Sequence, residues 1–511
     1  MADTKPGRET RETRETTPGK RPQNGASNVA RQARAAREQV IPPRLPEPEA
    51  HRRGFGTVLR NRYFLRLWMA QLLSQTIMNA ANYGLIVLIQ SRSKSYFATS
   101  IAIVAFALPA AIFGAPAGVL VDRLDRRRVL WVSNVLRGIA AVVFAVSLLV
   151  DQHAIIPAYA LSFLIAMIGQ FFAPAEGAAI PLLVHRDELI NALSLFNITF
   201  TLAQALGLIA LGPLILLLMP AITIGTAHHN IVVQPIESLF VIVAVFYAIC
   251  AILILTIPKR RLKVKPAPGQ RRSRVSESRQ VYSIWLGILE CWHFIRIDRR
   301  LLISVVQLCI GGLVVAVVAM IAPGFVQAFF HRPPELAAMV MVPAGIGLVL
   351  GSAATPRIVK RYQYGRTIFA GVVILAVCTV MLTVVRGISE RLLAQWWNWW
   401  PYVIVAILLT FLIGISLDFV NVPAQTIMQQ RSPDWIKGRV LAVQGMVLNI
   451  ATVIFVPLMG LAADNFGIAP AMDILGVAIA VTGLTTVYLS SRDHRTTGGG
   501  RAGGGRVKLI R

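Results

Sequence analysis

The sequence predicts an all-α polytopic membrane protein: twelve transmembrane helices in two six-helix halves. Three observations predict it. First, 55% of the 511 residues are hydrophobic, the mean hydropathy is +0.62, and charged residues make up only 15%, against about 25% in a soluble globular domain. A soluble chain of this length has too little interior to hide that much apolar surface. Second, apolar runs of at least the ~20 residues needed to cross a bilayer recur along most of the chain. Third, the basic residues that give a formal charge of +27 sit in the tails and in alternate short connections. That is the pattern that orients helices in a membrane. It is not the continuous basic face of a nucleic-acid binder.

Residues 1–60 are expected to form a disordered, basic, low-complexity tail containing "RETRETRETT", too polar to build a core. Residues 61–257 hold six spans, near 62–90, 97–121, 129–150, 155–176, 190–219 and 237–257. Residues 258–300 form a basic linker, "PKRRLKVKPAPGQRRSR", whose second part, "YSIWLGILECWHFIRIDRRLL", reads as an amphipathic helix on the inner leaflet. Residues 301–491 hold six more spans, near 301–327, 335–357, 366–387, 401–427, 439–461 and 468–490. Residues 492–511 are a Gly/Arg-rich tail. The connections "DRLDRRR", "VKRYQYGR" and "RSPDWIKGR" are basic, whereas "DQHAII", "GTAHHNIVVQP" and "AADNFG" hold almost no Lys or Arg. Both tails and the linker are therefore expected to be cytoplasmic, in a plasma (inner) membrane, with anionic lipids as partners of the basic loops and tails. The four cysteines show neither disulfide nor metal-ligand spacing. No Walker sequence or nucleophile arrangement is present. The chain is accordingly expected not to be an enzyme, to need no metal or other cofactor, to bind no nucleic acid and to act as a monomer.

The densest knot of charge is in "GAPAGVLVDRLDRRRVL", residues 114–130. Gly118 allows close approach of a neighbouring helix. Asp122, at the inner end of span two, can face the positive N-terminal end of span eleven near Gly438 and Arg439. Arg123 and Arg126 can bind lipid phosphate or pair with Glu176 at the inner end of span four. Gly118, Asp122, Arg123, Arg126, Glu176, Gly438 and Arg439 are thus the expected gate. The halves also echo one another: Gly114 and Gly118 match Gly347 and Gly351, and Thr355 and Pro356 stand where the first half has the charged lock. Arg137, in span three, is expected to snorkel to phosphates as a structural residue.

Polar stripes mark the spans. Gln71, Gln75, Asn79 and Asn82 share one face of span one; Asn197, Thr201 and Gln204 one face of span five; Asp418, Asn421 and Gln425 one face of span ten. Interhelical hydrogen bonding, worth about 0.6–2 kcal/mol per pair, explains such stripes as well as a binding site does.

"G118-V-L-V-D122-R123-L-D125-R126-R127-R128" resembles the signature loop between helices two and three of the major facilitator superfamily, with Asp125 where a second glycine is usual. The resemblance covers about residues 60–490 and extends to "SPDWIKGRVL"; the chain is similar to prokaryotic exporters of the enterobactin and macrolide efflux type. It implies that helices one, four, seven and ten line a cavity. Gln75, Asn79, Asn82, Gln170, Gln307, Asn421 and Gln425 then become substrate-binding candidates, and Asp418 a proton-coupling one, since burial favours a neutral aspartate. The Gly212-Pro213 pair of the antiporter motif is present, but span four lacks the intramembrane arginine of many proton-coupled relatives. The expected function is secondary-active export of amphipathic small molecules by alternating access, with protons as the candidate coupling ion. An uptake permease for a metabolite or lysolipid, and a non-transporting scaffold or sensor, stand as alternatives.

The orientation is tested at Gln270. A cysteine placed there should react with an impermeant thiol reagent only after cells are permeabilised, and labelling of intact cells would invert the topology.

Overall fold

The computed structural model describes residues 55–151, 155–185, 188–226, 229–262, 277–330, 332–392, 400–433 and 436–497. Most of both tails, much of the linker and residues 393–399 lie outside the described residues. Among the described residues, eleven helical runs are long and apolar enough to cross a membrane. One of them, Ala338–Leu392, has 55 residues and departs from helical geometry at Gln363, with φ 67 and ψ 161. At 1.5 Å per residue it is about 80 Å long, more than two bilayer cores. The break divides it into helices eight and nine, and the spans number twelve.

Helix one is Arg62–Ser93, two Tyr96–Arg123, three Arg126–Val150 and four Ile156–Leu183. Helix five is composite: Leu189–Ala205, a π-type segment Leu206–Leu211, and Gly212–Leu218. Helix six is Pro235–Leu255, seven Arg299–Phe330, ten Trp400–Arg431, eleven Lys437–Phe466 and twelve Ile468–Thr497. The alternation puts the start of helix one and the end of helix twelve on one face, here the terminal face, opposite a distal face.

Local chemistry sets the ends. Asn61 caps helix one, accepting from the Tyr63 and Phe64 amides, and its own amide donates to the Leu183 carbonyl at 2.6 Å, tying helix one to the end of helix four. Asp125, the residue standing where the family pattern has glycine, is the N-cap of helix three: its carboxylate accepts from the Arg127 amide at 3.1 Å. A capping box of Gln234 and Glu237 starts helix six.

Four features depart from the sequence reading. The chain is ordered earlier than residue 60: Phe55–Leu59 is a short helix with Val58 fully buried. Strands Ile222–Thr226 and His229–Val233 pair antiparallel in the connection between helices five and six. The amphipathic helix Glu277–Ile297 does not lie on lipid alone. Cys291 and Ile295 are fully buried in a cluster with Leu301, Val305, Val440 and Val443 of helices seven and eleven, and burial pushes the Cys291 thiol above its ordinary value, with Arg439 pulling the other way. Arg137 does not snorkel: it is 3% exposed, in the core of the first half.

Each half has its own apolar core. In the first, Phe144 meets Phe240 edge-on with ring centroids 4.6 Å apart. In the second, Phe325, Phe329, Phe330 and Tyr402 stack and tilt against each other. Helices eight and ten cross with their backbones in contact: a Cβ on Gly414 would strike the Ala344 carbonyl, one on Gly347 the Phe411 carbonyl, and one on Gly351 would sit 3.0 Å from Ile415 Cα. Large apolar side chains such as Val143, 63% exposed, and Ile139, 54% exposed, face outward where lipid tails would meet them.

Gly414→Leu should therefore destabilise the folded protein in detergent by about 1–3 kcal/mol, read as a lower thermal midpoint. Gly438→Leu, at a position with nothing within 4 Å of an added Cβ, should leave the midpoint unchanged.

Candidate functional site

The two halves meet along helices two and eleven and along helices five and eight, with helix one closing against helix seven. This seam is unevenly closed. On the distal side the Tyr83 hydroxyl, from helix one, donates to the Glu335 carbonyl just before helix eight, at 2.9 Å. Gly324 of helix seven leaves room for the ring of Tyr96, and Gly460 of helix eleven for the backbone of Tyr96 and Phe97. Toward the terminal face, Gly118 of helix two and Gly438 and Gly445 of helix eleven meet nothing within 4 Å of an added Cβ. The same two helices touch backbone to backbone at one end and stand apart at the other.

The expected gate residues other than Glu176 fall at this end of the molecule. Asp122 lies in the last turn of helix two, next to Arg123; both side chains lie outside the described residues. Gly438 and Arg439 are exposed. Arg439 turns toward the amphipathic helix, its guanidinium 3.7 Å from where a Cβ on Gly287 would sit. Arg126 forms no ion pair with Glu176 among the described residues. The basic group beside Glu176 is Arg137 instead, because Glu176 is 6% exposed and turned into the first half rather than toward the loop.

Arg137 and its surroundings are the polar site that sequence reasoning missed. The guanidinium donates to Ser74 Oγ of helix one at 3.2 Å, and Ser74 donates to Asn134 Oδ1 at 3.2 Å. It lies 5.3 Å from the Phe172 ring centroid and 5.8 Å from that of Tyr247. Gly169 of helix four makes the room: a Cβ there would be 2.9 Å from Arg137 Nη2. The Glu176 Oε1 is buried with no hydrogen-bond partner. The available signal was Asn134 and Arg137, three residues apart on one face of helix three.

The polar stripes divide. On helix one, the Asn79 amide donates to the Gln75 carbonyl at 2.8 Å, and Asn79 packs against Gly207 in the π-type segment of helix five. Gln75 Oε1 and Asn82 Oδ1 are buried without partners. On helix five, Gln204 is exposed, while the Asn197 and Thr201 side chains lie outside the described residues. Gln170 of helix four donates to the Ala166 carbonyl at 3.3 Å and lies against Gly114 of helix two. Gln307 of helix seven is 3% exposed, donates weakly to Thr486 Oγ1 of helix twelve at 3.4 Å and has a free Oε1. It borders a cavity of about 690 Å³ at the terminal end of the second half, with Ser304, Gln363, Arg366, Gln430 and Arg431. On helix ten, Asp418 is 6% exposed. It packs against Gly351 and the Ser352 backbone of helix eight, with Oδ2 unpartnered. Asn421 turns to Gly311 of helix seven with Oδ1 unpartnered, and Gln425 is exposed. Among the described residues no His, Cys, Asp and Glu group could hold a metal ion.

Comparison with known proteins matches this architecture. The chain is 23% identical over 389 residues to the uncharacterized MFS-type transporter YfiS of Bacillus subtilis, covering 76% of this chain and 83% of that one. It superposes on a bacterial homolog of the human lysosomal transporter Spinster, in an inward-facing and occupied conformation, with TM-score 0.61 and 12% identity, covering 85% and 97% of the two chains. A D-xylose-proton symporter gives TM-score 0.57 and 16% identity, over 83% and 97%. Residues 67–411 match the model of the Major Facilitator Superfamily. With twelve spans, paired halves and that match across most of its length, the chain belongs to the Major Facilitator Superfamily.

Proposed function

We propose that this transporter is a secondary-active exporter of amphipathic small molecules in the plasma membrane, with both termini cytoplasmic, and that the described conformation is open to the cytoplasm. The observation that carries the reading is the uneven seam, shut distally and splayed toward the terminal face, which is one half-cycle of alternating access. The inward-facing form of the Spinster homolog fits the same direction of opening.

The export reading draws on the likeness of the charged loop to bacterial exporters and on the chemistry of the interior. Gln75 and Asn82 on helix one, Gln307 on helix seven and Asn421 on helix ten each carry a buried amide oxygen without a partner. Buried acceptors of this kind are costly unless something donates to them. A substrate with hydroxyl, amide or ammonium donors on an apolar body would satisfy them without an ion pair. Asp418 remains the candidate proton carrier and Glu176, next to Arg137, the second.

The test is uptake of a dye and antibiotic panel into inverted vesicles, with and without a protonophore. Protonophore-sensitive accumulation supports export; accumulation only in right-side-out vesicles favours an uptake permease, and none in either leaves a scaffold or sensor. In the same assay Asn421→Ala should lower apparent affinity roughly tenfold, the loss of about 1.4 kcal/mol. Asp122→Asn should insert normally yet transport poorly; wild-type flux in that variant removes it from the gate. Asp418→Asn should lose proton-driven accumulation while keeping substrate exchange. If it still concentrates substrate in a protonophore-sensitive way, the carrier lies elsewhere.

A further inference from the structure

We propose that Asp464 is a latch that holds the distal seam shut, by capping the N-terminus of helix two from the opposite half. This deepens the alternating-access reading and rests on it.

Asp464 stands two residues before the end of helix eleven, Lys437–Phe466. Its Oδ1 accepts from the Tyr96 amide at 2.7 Å, and its Oδ2 accepts from the Phe97 amide at 3.1 Å and from the Ser95 hydroxyl at 2.6 Å. Those two amides open helix two, and an α-helix leaves its first amides without partners. Ser95 is the helix's own cap, accepting from the Ala98 amide at 3.1 Å. Helix two has no acidic residue in its first turn, so the negative charge its N-terminus favours comes from across the seam.

The position makes no sense for helix eleven alone. A carboxylate near a helix C-terminus faces the negative end of the macrodipole and is disfavoured there. The contact with helix two reverses that balance while the seam is closed. Gly460, one turn earlier on the same face, permits it: a Cβ there would be 2.9 Å from Phe97 Cα and from the Tyr96 carbonyl.

Gly460 and Asp464 also repeat a spacing found elsewhere. "G460-L-A-A-D464" ends helix eleven at the distal face; "G118-V-L-V-D122" ends helix two at the terminal face. The two helices run antiparallel, so each carries a glycine and an aspartate four apart in the sequence of its C-terminal end, at the same face of the molecule as the other's N-terminal end. In the described conformation the distal pair is engaged and Gly118 is not. One aspartate thus caps its partner helix in each half-cycle, and rocking exchanges one cap for the other.

Distances between spin labels read this directly. One pair, Val150→Cys with Ile388→Cys, spans the distal ends of helices three and nine; the other, Arg128→Cys with Arg366→Cys, spans the terminal ends of the same helices. The four native cysteines, all buried, are replaced by alanine. Asp464→Ala should lengthen the distal distance, shorten the terminal one and raise the outward-open population about five- to thirtyfold. Asp464→Asn, which keeps the size and loses the charge, should fall between. Gly460→Leu serves as a wedge that prises the seam whether or not a latch exists. If the wedge moves both distances in opposite senses and neither Asp464 variant does, the latch is overturned and alternating access stands. If no variant moves them in opposite senses, with or without a transported dye from the vesicle panel, alternating access itself fails.

Discussion

Closure of the distal seam to zero clearance is the contact on which the rest of the arrangement depends. Helix eleven can lie against the start of helix two only because Gly460 has no side chain, and helix seven can lie beside Tyr96 only because Gly324 has none. Lipid tails supply little driving force for two helices to associate, so packing and hydrogen bonds must hold the halves together. The seam supplies both: backbone contact at the glycines, and polar bonds from Tyr83 and Asp464. With the halves joined at that end, the antiparallel pair of helices two and eleven diverges toward the other, where Gly118 and Gly445 stand clear of neighbours.

The interior polar groups follow a second constraint. An unpaired polar atom in hydrocarbon costs several kcal/mol, so it is enclosed by protein or faces a cavity. Arg137 is handled by enclosure: Ser74 accepts from it, two aromatic rings flank it and Gly169 leaves it room. The free amide oxygens of Gln71, Gln75, Asn82, Gln307 and Asn421 are spread over three helices and both halves. A charged group is thus locked within one half, whereas the unpartnered amides are distributed across both.

The spans were legible because the bilayer imposes their length and apolarity, and periodic hydropathy reports both. Their ends were read from hydropathy alone; the cap residues that set three of them, Asn61, Ser95 and Asp125, emerge only in the structure. The hairpin was missed although β-branched residues in Ile222–Thr226 and His229–Val233 flank the turn, because a polar connection between spans reads as loop. The environment of Arg137 was missed because a lone arginine in the inner half of a span fits snorkelling as well as burial, and only packing from helices one, four and six decides between them. The helix-ten stripe is one face in sequence yet meets two helices in space, Asp418 against helix eight and Asn421 against helix seven. Stripe spacing says which residues share a face; it does not say what that face touches.

The joint between helices eight and nine is a single residue, Gln363, at φ 67, with helix continuing on both sides. Helices eleven and twelve are likewise joined by one residue, Gly467, at φ 90; at Gln363 the side chain is not glycine's, and the pair is a bent rod with one elbow. Helix eight touches the π-type segment of helix five in the opposite half, and helix nine packs against helix twelve at the outside of the bundle. The elbow therefore joins a helix packed in the interior against helix ten to one packed against helix twelve, with a single residue of chain between them.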